Sequence, residues 1–184
     1  MADFPGYRMA VWPVLTPAHL ASYGFALSGN GTQILGAASS GTWTVANQAY
    51  YYPFSLYDWA TAYQLLFWVG ATSSGNIDVG IYDSQGNKII SAGSTAMSAT
   101  VNTVQEINIT DTLLAPGHYM LAGAVDNTTG TVFRLAQTDE LAHGSYPIYT
   151  EATAFALPAT ATPIQGTDAS SFIAMVGIQF RSVF

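Results

Sequence analysis

This chain has no cysteine, so neither a disulfide framework nor a thiolate metal site can hold it together. It has almost as little charge: Asp, Glu, Lys and Arg make up 8% of its 184 residues, against about 25% in an ordinary globular domain. Only Arg8, Lys88, Arg134 and Arg181 are cationic, and the net charge is −7. Four scattered cations do not build the basic patch that a nucleic-acid backbone requires, nor do they draw a protein to an anionic membrane. Neither partner is expected. No apolar run reaches the roughly 20 residues of a membrane-spanning helix. No long stretch carries a 3.6-residue period either, which leaves little room for helix. The first residues hold Asp3 and Pro5 where an export signal would carry cations and an apolar run, so synthesis in the cytoplasm without export is expected.

What the chain does have is apolar and aromatic residues, 49% and 13% respectively. A length of 184 residues suits one domain with a real core. The clearest pattern lies between Asn76 and Asp126. Ile77, Val79 and Ile81 alternate with Asp78, Gly80 and Tyr82, the period of a strand. Asp83 to Asn87 supplies turn chemistry, with Gly86 and Asn87 suited to positive φ. Pro116 and Gly117 make a second turn, after which Tyr119, Leu121, Gly123 and Val125 recur at period two. Further strands are expected over residues 25–27, 33–35, 41–45, 49–54, 63–71, 88–92, 103–109, 131–136 and 172–180. Short strands separated by Gly, Asn and Ser clusters predict an all-β antiparallel sandwich rather than βαβ units. Residues 152–166, rich in Ala, Thr and Pro, read as an extended loop lying on the surface.

Residues 1–23 differ from the sandwich expected over residues 24–184. Pro5, Gly6, Pro13 and Pro17 break any regular element, yet Phe4, Tyr7 and Trp12 are large and apolar. This reads as an extended arm, packed on its own sandwich or docked on a partner through Phe4, Tyr7, Arg8 and Trp12. Two strands are apolar on both faces. Leu65, Phe67 and Val69, with Tyr63, oppose Leu66 and Trp68, while Val176 and Ile178 oppose Met175. One face of an antiparallel sheet normally meets water. A covering layer is therefore expected: the arm, a long loop or another subunit. Trp68 and Met175 are the candidate oligomer contacts.

Catalytic signatures are missing from the sequence. There is no G-x-S-x-G elbow, phosphate-binding loop or H-E-x-x-H motif, and His19, His118 and His143 share no metal spacing. Asp83 to Asn87 places oxygen donors around a glycine but lacks the distal acid of a calcium loop. Asp58, Asp126 and Asn127 are weaker oxygen donors of the same kind. No enzyme activity, cofactor or metal is expected. The aromatic residues Trp43, Tyr51, Trp59 and Tyr146 are candidate glycan contacts, because an exposed ring stacks on a sugar face. The alternative is that these rings fill the core.

The central block, residues 77–88, 93–95, 114–122 and 125–126, resembles the jelly-roll-like sandwich domains of tailed-phage virion proteins. Its sequence there is Ile-Asp-Val-Gly-Ile-Tyr-Asp-Ser-Gln-Gly-Asn-Lys, then Gly-Ser-Thr, Leu-Ala-Pro-Gly-His-Tyr-Met-Leu-Ala and Val-Asp. Such domains occur in head fibres, capsid decoration proteins and tail fibre or adaptor proteins, and similar blocks occur in carbohydrate-binding modules. The resemblance implies a non-enzymatic virion protein, often homotrimeric, contacting other virion proteins and in some cases host glycans.

Overall fold

The computed structural model describes residues 9–11, 38–135, 149–165 and 173–182, and these contain strands and turns with no helix. Strands β1 (Met9–Val11), β2 (Ala38–Thr42), β3 (Ala49–Leu56), β4 (Ala60–Val69) and β5 (Asn76–Asp83) come first. Then follow β6 (Lys88–Ser91), β7 (Thr95–Ala96), β8 (Thr103–Leu114), β9 (Gly117–Val125) and β10 (Thr131–Leu135). The last four are β11 (Tyr149–Glu151), β12 (Ile164–Gln165), β13 (Ile173–Ala174) and β14 (Val176–Ser182). They form two sheets. Sheet A runs β1-β14-β4-β10-β13, with β2 against β10 and β8 against β4. Sheet B runs β12-β11-β3-β9-β5-β6, with β7 against β5. Every ladder between these strands is antiparallel.

Alternation places the core. Tyr50, Tyr52, Phe54, Ile77, Val79, Ile81 and Leu121 from sheet B join Leu65, Phe67, Val69, Val176, Ile178 and Phe180 from sheet A in one buried cluster. Gly123 of β9 lets the sheets approach: a Cβ there would lie 3.1 Å from Val176 Cγ1. Tyr52 ties the sheets by a polar contact, its hydroxyl accepting the Ala174 amide at 2.9 Å. Tyr63 departs from the strict alternation expected of its strand. The ladder between β4 and β8 shifts register between Ala62 and Gln64, and such a bulge re-aims a side chain. Tyr63 therefore sits outside the core cluster, donating to Gln179 Oε1 at 2.7 Å beneath the Arg181 guanidinium, 4.3 Å above its ring.

Sheet B has a second covered face. On sheet B, residues 152–163 lie as a strap over Ala49, Tyr51, Tyr82, Ala122 and Ala124, contributing Ala154, Leu157 and Ala161 to a separate buried cluster. On sheet A, Leu66 is 2% exposed and Met175 1% exposed, both within the main cluster. A single copy of the chain thus buries these apolar side chains. Three residues of the N-terminal segment also join the chain's own sheet, Met9, Ala10 and Val11 pairing with Phe180, Gln179 and Ile178. The rest of residues 1–23, including Phe4, Tyr7, Arg8 and Trp12, lies outside the described residues.

Candidate functional site

The corner where the chain crosses between sheets is built by two adjacent connections. Residues 57–59 carry the chain from β3 in sheet B to β4 in sheet A, and residues 115–116 return it from β8 to β9. Leu56 faces Gly117 in one sheet and Ala60 faces Leu114 in the other, so both connections leave the same end of the fold. At this end Tyr57 is 92% exposed, Trp59 51% and Leu113 55%. Leu113 extends the apolar end along β8, where it is paired with Thr61. The turn holds its shape through Asp58, whose Oδ1 accepts the Trp59 amide at 2.7 Å. Beside it, Tyr119 donates to the Ala115 carbonyl at 2.7 Å and stacks on Phe54 with centroids 5.5 Å apart. Ser55 Oγ and His118 Nδ1 are hydrogen-bonded at 2.8 Å across the β3–β9 ladder.

Burial separates the four aromatic residues put forward as glycan contacts. Trp43 is fully buried, donating Nε1–H to the Gln48 carbonyl at 2.8 Å and meeting Tyr50 edge-on at 5.1 Å. Tyr51 is likewise buried, under the strap, and its hydroxyl donates to Glu151 Oε2 at 2.7 Å. Neither ring offers a face to a sugar, because Trp43 is enclosed in the main core cluster and Tyr51 is covered by the strap. Trp59 keeps its exposed surface, and Tyr146 lies outside the described residues. Compared with known protein families, with curated proteins and with solved structures, the chain matches none. The site must therefore be read from its own chemistry.

The candidate oligomer contacts change in the same way. Met175 is core, so it has no surface to give a second subunit. Trp68 is partly buried and packs on Phe133, with ring centroids 5.0 Å apart. The exposed Leu113 was not singled out from sequence, and Tyr57 stood out there only as one more aromatic ring able to stack on a sugar face. The only signal for Leu113 was position, an apolar residue beside a crossing between strands.

The oxygen-rich turns use their donors internally. Asp83 Oδ1 accepts the Gln85 and Asn87 amides at 2.9 and 2.8 Å, and Oδ2 accepts Asn87 Nδ2 at 3.0 Å. These bonds, the Asn87 side chain's first, hold the Asp83 carboxyl below its ordinary range. Gly86 takes the positive φ of the turn, 83°. Asp126 anchors the opposite corner through the Asn76 amide and side chain, at 3.0 and 2.8 Å. Partial burial pushes its pKa up, but the bonds from Asn76 and Asn127 together outweigh that and lower it. Among the described residues no group of three His, Asp or Glu side chains is arranged to hold a metal ion.

The strap holds the most unusual charge. Asp78 on β5 is fully buried on the outer side of sheet B. Its Oδ2 accepts the Leu157 amide at 3.0 Å, while Lys88 Nζ donates to the Leu157 carbonyl at 2.7 Å. Asp78 Oδ1 lacks a well-formed hydrogen bond. Burial raises the pKa of this carboxyl, opposed by the Leu157 amide, the Lys88 charge, the Gly93 amide and the Ser91 hydroxyl. Burial likewise pushes the Tyr51 and Tyr82 phenols up.

Proposed function

We propose that this protein is a non-enzymatic structural component of a bacteriophage virion, a jelly-roll-like β-sandwich with an N-terminal arm that assembles with copies of itself and with other virion proteins. The observation that carries the assembly reading is the exposed corner of Tyr57, Trp59 and Leu113. Large apolar side chains grouped at one end of a fold mark a contact surface, and aromatic anchors dominate contact energy. The low charge content agrees, since few charged groups would need to be stripped of water on association. The virion assignment itself rests on the resemblance of the central block to phage sandwich domains. In this reading the corner replaces Met175 as the contact between subunits, the homotrimer remains the expected state, and the arm residues Phe4, Tyr7, Arg8 and Trp12 dock on a neighbouring protein.

Light scattering on the purified protein tests it. A mass that is a multiple of 19.5 kDa, reduced to the monomer in Tyr57→Ala/Trp59→Ala with an unchanged circular dichroism spectrum, is the expected result. A wild-type monomer at all concentrations refutes self-assembly. A second reading has an observation of its own, since Tyr57 and Trp59 also offer ring faces for stacking on a glycan. A monomer that binds an immobilised glycan, and loses that binding in the same double variant, selects it.

A further inference from the structure

The strap over sheet B is fixed in an uneven way. Residues 152–163 contain no charged side chain, yet both backbone polar groups of Leu157 are gripped by ionisable side chains from neighbouring strands. Asp78 of β5 takes the amide and Lys88 of β6 takes the carbonyl. Weaker neutral ties surround this grip. Tyr82 donates to the Pro158 carbonyl at 2.7 Å, the Lys88 amide to Ala159 at 2.8 Å, the Ala161 amide to Gly86 at 2.8 Å and the Ala154 amide to Asn47 at 2.7 Å. The Leu157 side chain, 2% exposed, fills the space above Gly80, where a Cβ would stand 3.0 Å from its Cδ1. Leu157 is thus a plug held by a two-sided clasp.

We propose that residues 152–163 form a proton-linked strap, closed over sheet B by the Asp78–Leu157–Lys88 clasp and loosened when the buried Asp78 carboxyl ionises. The geometry sets the coupling. Closing the strap removes Asp78 from water and leaves Oδ1 without a well-formed hydrogen bond, the Gly93 amide and Ser91 hydroxyl helping only in part, an arrangement that costs far more for a carboxylate than for a neutral acid. Among the described residues Lys88 is the cation acting on it, and it is shared with the Leu157 carbonyl. The other ionisable groups around it among the described residues are Tyr82 on β5, Tyr51 on β3 and Glu151 on β11. The two phenols are pushed up and stay neutral, and Glu151 accepts from Tyr51 and from Thr162. On β9 the residues opposite Asp78 and Gly80 are Ala124 and Ala122, which bring no charge.

The sign follows from linkage. Asp78 binds its proton more tightly with the strap closed, so the closed form is favoured below the ordinary value of 3.8. That advantage is lost as pH rises through the raised value of the closed form. Opening uncovers Tyr51, Tyr82, Ala122 and Ala124, an apolar face in the middle of sheet B.

Hydrogen exchange of the Ala154, Leu157 and Ala161 amides, corrected for the intrinsic rate at each pH, tests the proposal. Their protection is expected to fall up to about tenfold per pH unit within the window that begins near 3.8. Asp78→Asn should flatten the slope, whereas Glu151→Gln should leave it. A flat or opposite slope in the wild type overturns the proposal, as does an Asp78→Asn slope equal to the wild type. Should Asp78→Asn fail to fold, the wild-type carboxyl carbon of Asp78, followed by NMR, decides. Its titration must coincide with the step in Leu157 protection, and two separate midpoints overturn the linkage.

Discussion

Replacing Tyr52 by Phe removes one oxygen atom and tests whether the two sheets are joined by more than apolar packing. Tyr52 is fully buried on the inward side of β3. Its hydroxyl accepts the Ala174 amide of β13, in the opposite sheet, at 2.9 Å. That amide sits just before the short interruption that separates β13 from β14. Phenylalanine fills nearly the same volume, so the packing loss is small. The cost comes instead from a donor left buried without its acceptor, about 1–3 kcal/mol. With a urea slope of about 3 kcal/mol/M, at the upper end for small proteins, the unfolding midpoint should fall by about 0.3–1 M at unchanged slope. Tyr63→Phe is the matched control. Its hydroxyl bonds Gln179 on the outer side of sheet A, only partly buried, where water can replace the lost partner, so its midpoint should move less. Urea unfolding followed by tryptophan fluorescence measures both. An unchanged midpoint in Tyr52→Phe, or a shift no larger than that of Tyr63→Phe, refutes the claim that this inter-sheet bond matters to stability.

Gly80→Val should displace the strap, because its Cβ would stand 3.0 Å from Leu157 Cδ1, 2.9 Å from Ser91 Cβ and 3.0 Å from the Ile90 carbonyl. Limited proteolysis should then cut within residues 152–163 faster than in the wild type, and equal rates would show that the plug is not tightly seated. Arg181→Ala should cost less than about 1 kcal/mol and less still at high salt. Its 3.1 Å pair with Asp111 is more than half exposed on both sides, and a larger loss in urea unfolding would show that the contact with Tyr63 carries most of the energy.

Much of the all-β architecture was legible because period-two alternation is a local property. Residues 77–83 were expected as a strand and the structure has β5 at Asn76–Asp83. Residues 117–126 correspond to β9 at Gly117–Val125, and residues 131–136 to β10 at Thr131–Leu135. The turn at Asp83 to Asn87 was equally local, since a side-chain carboxylate bonding amides two and four residues on needs no distant partner. Two-residue strands such as β7 and β12 escaped. A pairing that short leaves no period to detect and depends on what lies beside it.

The faces were another matter. Alternation assigns side chains to two sides but does not say which side is covered, or by what. Sequence put Trp43 and Tyr51 among candidate ligand contacts and Met175 among subunit contacts, yet all three are buried within a single copy. The strap covering Tyr51 lies about a hundred residues further along the chain, tied to it through Glu151. Asp78 looked like the polar member of an alternating strand. Only the return of residues 152–163 across sheet B turned it into a buried carboxylate facing a backbone amide. Composition and period determined by themselves that this chain forms β-sheet with little charge to spare, because strand alternation and turn chemistry are encoded over a few residues. Which apolar side chains end inside, and which remain exposed at the Tyr57–Trp59 corner, was decided by contacts between segments far apart in sequence.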